Sequence, residues 1–95
     1  MFDPEPMQEF EISEHALFEM DRPGIKETVV AAILAAPEQV ALIRPGRAVY
    51  QSKVGVGAPP SIYLLRIIVD FDRQPPKVVT AYLTSKIAKY WRTEE

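Results

Sequence analysis

Cysteine is absent from this chain of 95 residues, and histidine occurs once. The first absence excludes disulfides and cysteine-held zinc. The second excludes a site built from several imidazoles, so no metal and no cofactor is expected. No apolar run approaches the roughly 20 residues of a membrane span. The opening residues, MFDPEPMQEF, have neither the basic start nor the apolar stretch of a signal peptide. A cytoplasmic location is the expectation. No GxxxxGK[ST] loop, no GxSxG elbow and no Cys–His arrangement occurs, so the chemistries those motifs carry have no support.

Basic residues are also missing from one end. Residues 1–21 hold seven acids and no Lys or Arg. The rest of the chain holds all eleven basic residues against six acids, so a net charge of −2 hides a basic body behind an acidic front. A basic body permits polyanion binding, although a solvated charged face would look the same in sequence. Hydrophobic residues make up 47% and charged residues 25%, the balance of one globular domain with a modest core.

Pro4 and Pro6 make residues 1–11 a loose acidic lead-in, and residues 12–95 the single domain. Ser13 can cap a helix that opens at Glu14. Ile12 and Leu17 have the spacing of a hydrophobic staple, and Pro23-Gly24 stops the helix. A second helix is expected from about Lys26 to Ala35, with Val29, Val30, Ile33 and Leu34 as its buried stripe and Pro37 as its end. Strands follow at Glu38–Ile43 and Arg47–Val54, joined by Arg44-Pro45-Gly46-Arg47, which suits a type II turn. After the loop Gly55–Pro60 come a long strand, Ile62–Phe71, and a last one, Val78–Leu83. A short helical turn closes the chain. The order predicts an α+β fold: two N-terminal helices on a four-stranded, mainly antiparallel sheet.

The last two strands fix a register. In the long strand, Tyr63, Leu65, Ile67, Val69 and Phe71 alternate with a set that includes Arg66 and Asp70. In the last strand, Val79, Ala81 and Leu83 alternate with Thr80, Tyr82 and Thr84. Closing the apolar face requires odd positions to meet odd positions. Arg66 then lies opposite Tyr82 or Thr80, and Arg66, Thr80, Tyr82 and Thr84 share the more polar face.

Several short motifs in this order look familiar: His15-Ala16-Leu17-x-x-Met20, Gly24-Ile25, Ala36-Pro37-Glu38, Arg47-x-Val49-Tyr50, Leu65-Arg66-Ile67-Ile68-Val69-Asp70, and Val78 through Trp91. Together they resemble the domain of unknown function 4258 family, which is similar to the BrnT and RelE-like toxins. The resemblance implies a barnase/colicin/RelE-like fold and a toxin-like domain, a metal-independent ribonuclease of a toxin–antitoxin system. RNA and an antitoxin would be its partners. The alternative is a non-enzymatic module on the same fold that holds a protein partner. Glu19 and Pro23 stand where basic residues often follow the first-helix histidine in that family.

Metal-free RNA cleavage needs an acid or base and cations for the developing charge. The residues expected to supply them are His15 as acid or base, Arg66 and Lys86 as phosphate cations, and Tyr82 and Thr84 as orienting hydrogen-bond partners. Each has a plainer reading. His15 could be a helix-surface residue, and Arg66 could pair with Asp70, Glu19 or Asp21. Lys86 could be solvated, and Tyr90 and Trp91 could pack back on the core.

Overall fold

The computed structural model describes residues 7–93: three helices and one five-stranded mixed sheet in an α+β arrangement. The elements run β1 (Glu11–Ile12), α1 (Glu14–Asp21), α2 (Glu27–Ala35), β2 (Gln39–Arg44), β3 (Arg47–Val56), β4 (Ser61–Asp70), β5 (Lys77–Thr84) and α3 (Ile87–Tyr90). The sheet order is β1-β5-β4-β3-β2. Strands β2 to β5 pair antiparallel, as the sequence predicts.

The fifth strand corrects the expected four. β1 has two residues and joins β5 in parallel, too short for any alternation to show in sequence. Backbone bonds hold it: Glu11 N–H donates to the Pro76 carbonyl at 2.8 Å and Ser13 N–H to the Val78 carbonyl at 2.9 Å. Met7 N–H donates to the Leu34 carbonyl at 3.0 Å, and Met7, Phe10 and Ile12 pack on the core. From Met7 onward the acidic lead-in is therefore docked rather than loose; its residues 1–6 lie outside the described residues.

Ser13 caps α1 as expected, its hydroxyl accepting from Ala16 N–H at 3.0 Å. Leu17 and Phe18 point away from the core, and Phe18 is 80% exposed. α2 starts without a side-chain cap at Lys26 and buries Val30, Ile33 and Leu34. The β2–β3 hairpin turns on Pro45-Gly46, with Gly46 at φ 85°, as a type II turn requires. A Cβ at Gly46 would also run into the Asp72 carboxylate, so glycine is needed there twice over.

One face of the sheet carries Ala48, Tyr50, Leu65, Ile67, Val69 and Ala81 against Ala16, Met20, Val30, Ile33 and Leu34 of the helices. Fully burying a large aliphatic side chain contributes about 1.5–3 kcal/mol, so this layer is the main source of stability. A bulge in β5, whose extra residue Val79 faces the step from Ile68 to Val69 of β4, puts Val78, not the expected Val79, opposite Val69 and in the core. A bulge adds one residue to one strand, and every side chain beyond it changes face.

Candidate nucleic-acid interface

The opposite face of the sheet follows from the same registers. Gln39 pairs with Gln51, Gln51 with Arg66 and Arg66 with Tyr82, so one polar row crosses β2, β3, β4 and β5. Side chains link it. Arg66 donates from Nε to Gln51 Oε1 at 2.9 Å and from Nη1 to the Tyr82 hydroxyl at 2.6 Å. Gln51 donates from Nε2 to Gln39 Oε1 at 2.8 Å. Gln51 is only 1% exposed, and a buried amide needs such partners.

The C-terminal segment lies on this row. The Gln39 amide clasps the Arg92 backbone: Nε2 donates to the carbonyl at 2.6 Å, and Oε1 accepts from the N–H at 3.0 Å. Gln51 Nε2 also donates to the Tyr90 carbonyl at 3.2 Å. The Arg66 guanidinium sits 4.1 Å from the centre of the Tyr90 ring, and Lys53 Nζ sits 4.1 Å from that of Trp91. Two neighbouring rings thus cover two neighbouring cations, each attracted by the ring's negative face.

Charge on this face is unevenly matched. Among the described residues Arg47–Asp70 is an ion pair, and His15 lies 3.3 Å from Glu19, an ion pair only when the imidazole is protonated. Arg66 is held by a neutral amide and a neutral phenol instead, so its charge is not cancelled. The Lys89 side chain, hydrogen-bonded to the Tyr90 phenol, holds that phenol below the usual tyrosine range; Tyr82 and Arg66 act in the same direction and burial opposes them. At the far end of the face Arg47 grips Asp70 with two hydrogen bonds, Nε to Oδ1 at 2.5 Å and Nη2 to Oδ2 at 3.0 Å. Asp70 is therefore not available to Arg66. Glu19 is committed too, bonded to His15 and accepting from Ala81 N–H at 3.3 Å.

Of the five residues expected to form a site, Arg66 and Tyr82 meet directly. Thr84 ends the same strand, its hydroxyl accepting from Lys86 N–H at 3.0 Å and shaping the turn into the C-terminal segment. Lys86 is exposed just beyond. His15 does not join them. It rides on α1, whose Ala16 and Met20 pack on the other face of the sheet, and its partner is Glu19 at 3.3 Å. Three further residues of the face escape the sequence reading as site residues: Gln39, Gln51 and Lys53. The alternation Arg47, Val49, Gln51, Lys53 was the available signal for two of them.

Among the described residues no group of three or more His, Cys, Asp or Glu could hold a metal ion, and no helix is long and apolar enough to cross a membrane. Comparison of the chain with protein-family models, with curated proteins and with solved structures found no match.

Proposed function

We propose that this chain is a toxin-type RNA-binding domain and a metal-independent ribonuclease, as its resemblance to the domain of unknown function 4258 family and the BrnT and RelE-like toxins implies. The barnase/colicin/RelE-like fold is part of the same proposal, and the packing of α1 and α2 on one face of the sheet is compatible with it. The observation that supports the reading is the half-buried Arg66, fixed by Gln51 and Tyr82 with no carboxylate partner among the described residues. A preorganised cation of that kind stabilises charge developing on a phosphate without moving. In the reaction the RNA 2′-hydroxyl gives its proton to water, its oxygen bonds to phosphorus, and the bond from phosphorus to the 5′-oxygen breaks as that oxygen takes up a proton, leaving a 2′,3′-cyclic phosphate. Arg66 faces the phosphorane charge. The Tyr82 phenol, which accepts from that guanidinium at 2.6 Å, gives its own proton to the leaving 5′-oxygen, a role that His15 on α1 does not fill because α1 packs on the opposite face. Lys86 and Thr84 border the path of the strand.

Arg66→Ala tests this. Losing one charge-stabilising contact costs on the order of 3 kcal/mol of barrier, a hundredfold or more in rate. Cleavage of an RNA substrate should fall by that factor while circular dichroism stays native. Unchanged cleavage in the folded variant would rule the site out. A second reading, a non-enzymatic module for a protein partner, is supported by one fact: the polar face already holds a peptide, its own C-terminal segment. Growth arrest on expression, relieved by a co-expressed neighbour, favours the toxin; harmless high-level expression favours the module.

A further inference from the structure

The segment that covers the polar face shows what the face is built to hold. Tyr90 and Trp91 are consecutive residues, and their rings lie on Arg66 and Lys53 at the same distance, 4.1 Å. Beside them the Gln39 amide engages an adjacent acceptor and donor, the carbonyl and N–H of Arg92. Gln51 offers one more donor, used by the Tyr90 carbonyl. Two neighbouring flat rings, each over a cation, with a donor–acceptor pair alongside, are also the features of two consecutive unpaired bases. Every nucleobase presents an adjacent donor and acceptor on its Watson–Crick edge, and in a duplex those edges are already used.

Resting on the RNA reading above, we infer that the ligand of this face is single-stranded RNA, and that it binds by displacing the C-terminal segment. Two consecutive bases take the places of Tyr90 and Trp91 over Arg66 and Lys53, and the Gln39 amide bonds the edge of one of them. The segment then acts as a built-in competitor. Its four-residue helix α3 is too short to hold itself in place, since isolated helices of that length do not persist in water. It stays by the same contacts that the ligand would use, so release and binding are coupled.

Trp91 is the only tryptophan of the chain, so its emission reports this exchange without a label. The experiment titrates the full chain with a single-stranded oligoribonucleotide and with the same sequence as a duplex, following tryptophan emission and the anisotropy of a dye on the RNA. The single strand should bind about fivefold or more tighter than the duplex, the least that one stacked base contributes. Trp91 emission should shift to the red in step with binding. Tyr90→Ala, which removes the ring over Arg66 and weakens the competitor, should bind the single strand more tightly than wild type. Binding with unchanged Trp91 emission, or equal binding of the duplex, would overturn this inference and leave RNA recognition standing. No binding by either wild type or Tyr90→Ala would remove RNA recognition as well. Release of Trp91 by a peptide copy of residues 86–93, with no response to RNA, would assign the face to a protein partner and overturn both.

Discussion

The two faces of this sheet are held down by different physics. Beneath α1 and α2, Leu65, Ile67 and Val69 meet Val30, Ile33 and Leu34 in a layer whose members are at most 6% exposed. That cover is non-directional and cooperative, and it gains stability with each apolar area removed from water. On the other face the cover is the segment after β5, fastened by amide hydrogen bonds and two cation–ring contacts, with Val49 and Leu64 the only buried apolar side chains of that face among the described residues. Such contacts are directional and individually modest, because water competes for the same groups. One face is built to stay closed, the other to be fixed in geometry while remaining exchangeable. Functional surfaces are drawn from the less stable parts of a domain for this reason.

The comparison is sharpest where a single side chain is removed from each cover. Leu34 is fully buried between α2 and the sheet and also receives Met7 N–H on its carbonyl. Leu34→Ala removes buried apolar atoms and leaves a cavity, at a cost of about 2–5 kcal/mol. A domain of this size has of order 5–15 kcal/mol in total, so urea unfolding should show a larger loss than any single substitution on the polar face produces. A loss comparable to that of an exposed substitution would mean the helix layer is not the chief source of stability.

Gln51→Ala tests the opposite face. It removes the acceptor for Arg66 Nε and the donor to Gln39 and to the Tyr90 carbonyl. Leaving buried polar groups unpaired costs about 1–3 kcal/mol. The loss in urea should therefore be smaller than for Leu34→Ala. Hydrogen exchange should show a second effect absent from the core variant: faster exchange at Arg92 N–H, which Gln39 holds. Equal exchange at that amide in the two variants would mean the C-terminal cover is not fastened through the glutamine row.

Much of the apolar face was legible in the sequence, and less of the polar one. Period-two alternation located β4 and β5 and set Arg66 opposite Tyr82, since a one-residue slip would expose every core side chain of the strand. Ser13 and the Pro45-Gly46 turn were legible because caps and turns depend on local residue chemistry. Beyond such local rules the reading failed for definite reasons. The extra residue at Val79 carries no local mark, so the change of face at Val78 could not be seen. Glutamine reads as solvated by default, yet Gln51 is buried because its partners come from β2, β4 and the C-terminal segment. Packing on the core was one of two readings of Tyr90 and Trp91, and the favoured one for Trp91; both rings cover cations on the polar face, because Gln39 and Gln51 fix the backbone around them. His15 had the right chemistry for a nuclease, but α1 packs against the face away from Arg66.

The smallest effect expected lies at the rim of the polar face, where Arg47 and Asp70 pair across β3 and β4. The hydrogen-bonded Arg47 guanidinium holds the Asp70 carboxyl below its ordinary value; Arg44 and Arg73 add to the effect and burial works against it. A carboxylate with a depressed folded pKa favours the fold while it is ionised. Its contribution is complete above the unfolded value of about 3.9, and is lost as pH falls through that value toward the folded one, because the unfolded chain binds the proton first. Both side chains are about a third exposed or less, at 30% and 25%, so water screens the pair and the effect stays below that of either cover. Arg47→Met should bring the Asp70 titration back toward the ordinary carboxylate range, read by NMR on the side-chain carboxyl. It should also flatten the acid limb of the stability curve below about pH 3.9, and leave stability nearly unchanged when the carboxylate is already neutral. An Asp70 titration at the ordinary value in the unaltered chain would mean the pair does not persist in solution, and the polar face would then be fastened at the glutamine row alone.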